Sequence, residues 1–176
     1  MTSLSFPLGP YVPEESLTPA RRAELIGQIS DAPTRLRAAV DRLTDEQLDT
    51  RYRPDGWTVR QLAHHVPDSH LNAYIRFKLA LTEVNPTIKP YDEARWAELP
   101  DTAGTSVAVS LVLLEALHRR WVVLLRAMTD AEWSRTFFHP EKQQSLSLDW
   151  FLGLYAWHGR HHVAHITGLR ERMGWG

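Results

Sequence analysis

The chain has 176 residues, 20 Lys and Arg against 21 Asp and Glu for a formal charge of -1, and no cysteine. That length predicts one compact domain, residues 1–176, whose core needs no disulfides, and the missing cysteines remove thiolate metal sites and a Cys nucleophile while fitting a reducing cytoplasm. Balanced charge without long runs of either sign points away from nucleic acid, and the lack of a basic leader or of about 18 consecutive apolar residues points away from a membrane. A soluble cytoplasmic protein with small-molecule partners is expected.

Residues 1–17, with Pro7, Gly9, Pro10 and Pro13, should form an extended surface arm. Thr18 before Pro19 reads as a helix N-cap with proline at the first helical position, and Leu25, Ile29, Leu36, Ala39, Val40 and Leu43 continue an apolar stripe. Pro33 predicts a bend or a split near Asp31. Thr44 with Gln47 has the spacing of a capping box for a short helix, Pro54, Asp55 and Gly56 make a turn, and Thr58 with Gln61 opens a second long helix from about Val59 to Glu83. Pro67 inside it predicts a kink or local bulge just past His65.

Residues 84–104 form a long, proline-containing connection with a short helical stretch at Asp92 to Leu99. The third long helix starts at Thr105 or Ser106 and runs to about Met128. Its Val109, Val112, Leu113, Leu117, Trp121, Leu124 and Leu125 predict the most buried helix of the fold. The run MTDAEW at Met128 to Trp133 then echoes LTDEQL at Leu43 to Leu48. Phe137 to Gln144 should turn back as a short hairpin, and Ser147 caps a last helix from Leu148 to about Met173. Four long helices joined partly by long crossings give an all-α four-helix bundle.

Four of the nine histidines fall in WHGRHHVAH, Trp157 to His165, and His64, His65 and His70 cluster far upstream. At about 100° per residue, Phe151, Leu154, Tyr155, Ile166, Leu169 and Met173 define an inward arc with His158 and His162 near its centre; His165 and His161 fall about 50° and about 90° away and read as flanking or supporting groups. Four residues apart, His158 and His162 stand one above the other, within reach of a single ion. The upstream cluster should supply a third ligand. His64 and His65 point about 100° apart, and the apolar stripe favours His65, with His70 as a competitor. Ser69, Asn72 and Arg76 follow His65 along its own side of the helix and would line a substrate pocket. No residue stands out as a general base, and the catalytic group is left open.

The segments GWTVRQLAHHVPDSHLNAYIRFKLALTE at Gly56 to Glu83, IKPYDEARWAEL at Ile88 to Leu99, and GLYAWHGRHHVAHI ending at Ile166 together resemble the DinB superfamily, in particular its YfiT-like bacillithiol-transferase branch. The resemblance extends over nearly the whole chain, including the closing RMGWG. It implies a four-helix bundle with long crossover loops and one divalent metal held by three histidines, matched here by His65, His158 and His162. It also implies a homodimer, and either hydrolysis of a small substrate or transfer of a low-molecular-weight, bacillithiol-like thiol to an electrophile. Zn²⁺ is the first choice of metal, and Ni²⁺ also suits imidazole. Three neutral imidazoles leave the +2 charge whole and a position open, where the pKa of a water can fall to about 7. The alternative is a non-catalytic metal-bearing bundle that binds a ligand as a sensor or stress-response module.

Overall fold

The computed structural model describes residues 4–175, so the first three residues of the expected arm lie outside it. From residue 4 the arm runs against the last helix, and the first helix, α1 (Pro19–Val40), begins where the cap signal places it, with the Thr18 hydroxyl accepting from the Arg21 amide. Pro33 does not split this helix: α1 continues through it without a break. The short helix α2 (Asp45–Leu48) and the long helix α3 (Val59–Thr82) each open on a complete capping box, Thr44 with Gln47 and Thr58 with Gln61. Between them Asp55 takes a left-handed φ of 56° in the expected turn. α3 stays helical across Pro67, with no interruption after His65.

The connection after α3 contains α4 (Glu93–Trp96) and a second helical turn, α5 (Pro100–Gly104), where the sequence pattern shows only one. Helix α6 (Val107–Ala127) follows its Ser106 cap, and α7 (Asp130–Trp133) is a single turn whose Thr129 amide donates to Glu132 at 2.7 Å. The echo between LTDEQL and MTDAEW is therefore a shared local structure, a capped helical turn. Strands β1 (Thr136–His139) and β2 (Gln144–Ser147) pair antiparallel as the expected hairpin, and α8 (Leu148–Met173) starts on the Ser147 cap.

The four long helices form a ring in the order α1, α6, α3, α8. Arg22 meets Asp149 and Arg170 meets the Ala39 carbonyl, so α1 and α8 run parallel. His64 meets Ser110 and Tyr74 meets Arg120, so α3 and α6 run parallel as well. Phe77 stacks on Phe151 while His65 sits at His162, which makes the α3–α8 seam antiparallel. No helix among the described residues is long and apolar enough to cross a membrane.

Two apolar clusters fill the ring. One gathers Ile29, Phe77, Trp121 and Phe151, the other Val59, Leu62, Leu114 and Ile166, and each such buried side chain is worth about 1.5–3 kcal/mol. A layer of histidines divides them. The expectation for α6 fails: Val109, Val112 and Leu113 are 57%, 61% and 43% exposed, and α3 is the more deeply buried helix. The apolar residues of α6 span too wide an arc for one face, and the ring takes only the arc of Leu111, Leu114, Leu117, Trp121 and Leu125.

Candidate metal centre

Three side chains meet where α3 and α8 cross in the histidine layer. His158 and His162, one helical turn apart on α8, face His65 on α3. His158 Nε2 stands 3.4 Å from His65 Nε2 and 3.1 Å from His162 Nε2. Among the described residues this is the one group of three or more His, Cys, Asp or Glu whose ligand atoms all lie within 4.8 Å of one another. His65 and His162 are buried and His158 is partly exposed.

Burial decides the charge state of the cluster. Loss of hydration disfavours imidazolium, which lowers the His65 pKa to about 4 and carries His158 and His162 well below the ordinary histidine value, with the neighbouring histidines adding to the effect. All three rings are neutral at pH 7 and keep a lone pair. The donor set therefore fits a divalent ion: two nitrogens bound at 2.0–2.1 Å around a tetrahedral centre lie about 3.3 Å apart, close to the separations seen here.

The remaining histidines divide by direction. His64 turns to α6, with Nδ1 at 2.7 Å from Ser110 Oγ. His161 stacks on Trp157 with ring centres 4.3 Å apart, and His165 Nε2 donates to the Ser5 carbonyl at 3.2 Å, so both lie under the arm. His70, fully buried, has Nε2 at 3.1 Å from His158 Nδ1, behind the ring that faces the triad.

Of the three pocket candidates, Ser69 and Arg76 point along the α3–α8 seam. Ser69 Oγ pairs with the Tyr155 hydroxyl at 3.2 Å, and the Tyr155 ring lies 5.4 Å from that of His158. Arg76, 7% exposed, donates to the Lys89 carbonyl at 3.3 Å. Asn72 instead turns its amide back to the Asp68 carbonyl in its own helix, at 2.9 Å. Asp68 faces the charge of Asp101, and burial together with that neighbour raises its carboxyl to about 6.

Tyr155, Tyr91 and Trp57 complete the surroundings, and the sequence pattern assigns none of them to the site. Trp57 packs 4.6 Å from the His65 ring, and Tyr91 lies beside Ser69. Tyr155 carried a usable signal, since it precedes His158 by one turn on the inward arc. Trp57 and Tyr91 lie outside the long helices, where helical periodicity says nothing. Burial raises the pKa of Tyr91 and Tyr155, so both hydroxyls stay protonated. A cleft of about 570 Å³ opens on the other edge of the ring, between α1 and α6, where Pro33, Arg37, Glu115, His118 and Arg126 line it and none of the three ligand candidates does.

The model of the DinB superfamily matches residues 28–166. The chain belongs to that superfamily. Within it, YfiT of Bacillus subtilis (strain 168), whose name proposes a metal-dependent hydrolase, is 51% identical over 99% of both chains. A Bacillus pumilus (strain SAFR-032) protein named in the same way is 52% identical, again over 99% of both. The solved structure of B. subtilis YfiT, described as having an unusual four-helix bundle topology, superposes with a TM-score of 0.96 at 50% identity, covering 98% of this chain and 99% of that one. The parallel pairs α1–α8 and α3–α6 are how this DinB-type bundle departs from simple up-and-down order.

Proposed function

We propose that this chain is a cytoplasmic metal-dependent enzyme in which His65, His158 and His162 hold one divalent ion, Zn²⁺ before Ni²⁺, and act on a small substrate. The observation that carries the reading is the convergence of three neutral imidazole nitrogens, with His158 Nε2 at 3.1 and 3.4 Å from the other two. An ion held there supplies Lewis acidity and lowers the pKa of a coordinated water or thiol toward neutrality. Arg76 brings a permanent cation to the seam and would hold an anionic group of the substrate, while the protonated hydroxyls of Tyr155 and Tyr91 donate hydrogen bonds.

Hydrolysis has the names of the relatives behind it. Transfer of a low-molecular-weight thiol to an electrophile is the second reading. It would use the same open position, where the ion lowers the pKa of a bound thiol as it does that of water, and with no cysteine in the chain the sulfur nucleophile would come from a cosubstrate. The exposed Leu71 and Ile75 of α3 and Val109, Val112 and Leu113 of α6 support a homodimer formed through that face.

Zn²⁺-loaded protein should hydrolyse at least one member of an ester, amide and phosphate panel, or conjugate a thiol to an electrophile such as monobromobimane. His158→Ala and His162→Ala should each lose stoichiometric metal and activity with the helical signal kept, and His161→Ala should lose neither. A metal-loaded protein inert across both panels leaves only the non-catalytic metal-bearing bundle.

A further inference from the structure

Behind the triad, a file of hydrogen bonds crosses the whole bundle. His158 Nδ1 on α8 lies 3.1 Å from His70 Nε2 on α3, His70 Nδ1 lies 2.8 Å from His118 Nε2 on α6, and His118 Nδ1 lies 2.6 Å from the carbonyl oxygen of Ile29 on α1. Each of the four long helices contributes one member. The rings are tightly held: His70 lies nearly coplanar with His118, at 19°, and meets Trp121 and Tyr155 edge-on, and a Cβ added at Gly159 would sit 3.3 Å from Ala32 Cβ and 3.5 Å from His70 Cε1.

The last member gives the file a direction. A carbonyl only accepts, so His118 must carry its proton on Nδ1. His70 and His118 are 0% and 1% exposed, where a neutral ring is favoured, so His118 Nε2 is a lone pair and His70 must donate from Nδ1. By the same step His70 Nε2 accepts, and His158 donates from Nδ1. His158 is left with its lone pair on Nε2, the atom that faces His65 and His162.

The acceptor is free because of a proline. In an α-helix the Ile29 carbonyl would bond the amide four residues on, and that residue is Pro33, which has none. Pro33 thus leaves an orphan carbonyl inside the bundle, and His118 takes it.

We propose that Pro33, His118 and His70 are positioning residues that fix the tautomer and ring orientation of His158 so that its Nε2 lone pair faces the ion. This rests on the metal reading above. Partners of this kind typically change metal affinity by about 10–100-fold when lost. The test is long-range ¹H–¹⁵N correlation of the histidine rings in metal-free protein, followed by Zn²⁺ titration of wild type, His118→Phe and His70→Phe. We expect Nδ1–H on His158, His70 and His118 in the wild type. We also expect a Zn²⁺ Kd raised at least tenfold in His70→Phe and less in His118→Phe, with the helical signal kept and the melting temperature lowered in both by the buried polar partners left unpaired. A proton on His158 Nε2 in metal-free wild type overturns the proposal, and so do unchanged Zn²⁺ affinity and unchanged His158 ring signals in both variants. A wild-type protein with the expected tautomers that binds no Zn²⁺ would instead sink the metal reading and, with it, the role assigned to the file, while leaving the ordered hydrogen bonds in place.

Discussion

Acid should unfold the metal-free protein, and His118 lets the size of the effect be worked out. Its pKa falls from 6.5 to about 4, with burial as the largest cause and the hydrogen bond to Ile29 opposing. The folded value lies below the unfolded one, so between about pH 6.5 and about 4 the unfolded chain binds more protons and stability falls as pH falls. At about 1.4 kcal/mol per tenfold change in proton affinity, His118 alone removes about 3 kcal/mol across that window. His65 is lowered to about 4 for the same reason, and burial also carries His70, His158 and His162 well below the ordinary histidine value. Asp68, raised to about 6, opposes them as a single, half-buried group. Against a usual total of about 5–15 kcal/mol, several such histidines suffice to unfold the domain near pH 5. The assay is urea unfolding of chelator-treated protein at pH 7.5, 6.5, 5.5 and 5, followed by circular dichroism at 222 nm. The midpoint should drop steeply below pH 6.5, and less so in His118→Phe. A midpoint flat from pH 7.5 to 5, or an equal slope in the variant, would refute the reasoning.

Two further expectations concern other parts of the chain. A Cβ at Gly153 would fall 2.6 Å from the Tyr11 hydroxyl, which donates to the Trp150 carbonyl at 3.1 Å. Gly153→Ala should therefore gain the usual helical benefit of about 1 kcal/mol only in a Tyr11→Phe background, and equal effects in both backgrounds by urea melts would show that the hydroxyl does not set the constraint. Val112→Glu, on the exposed apolar face of α6, should convert a dimer to a monomer in size-exclusion chromatography with light scattering; a wild-type monomer at 100 µM would remove the dimer from the proposal.

Helix starts were the most legible part of the sequence, because a cap is chemistry written within four residues: Thr18, Thr44, Thr58 and Ser147 each begin a helix at the position read. Periodicity also separated His158 and His162 from their neighbours, since direction around one helix needs no partner. It failed for α6, where an apolar residue reads the same whether it faces the ring or solvent. Pro33 shows a different limit. Its local consequence, a missing amide, was legible, but its outcome was not: a side chain from α6, 89 residues away in sequence, meets the freed carbonyl. His118 itself gave no warning, being one histidine among the apolar residues of its arc.

The N-terminal arm bears on chelation. Helix α8 carries two pairs of histidines spaced four apart, and on sequence alone each pair is a bidentate claw. The arm and its surroundings occupy the second: His165 spends its Nε2 proton on Ser5 with Tyr52 4.0 Å from its ring, and His161 is closed in between Trp157 and Phe6. Only His158 and His162 keep lone pairs turned toward a third donor, so on the proposed metal reading this histidine-rich helix would take one ion, and fourteen residues of arm would guard against a second.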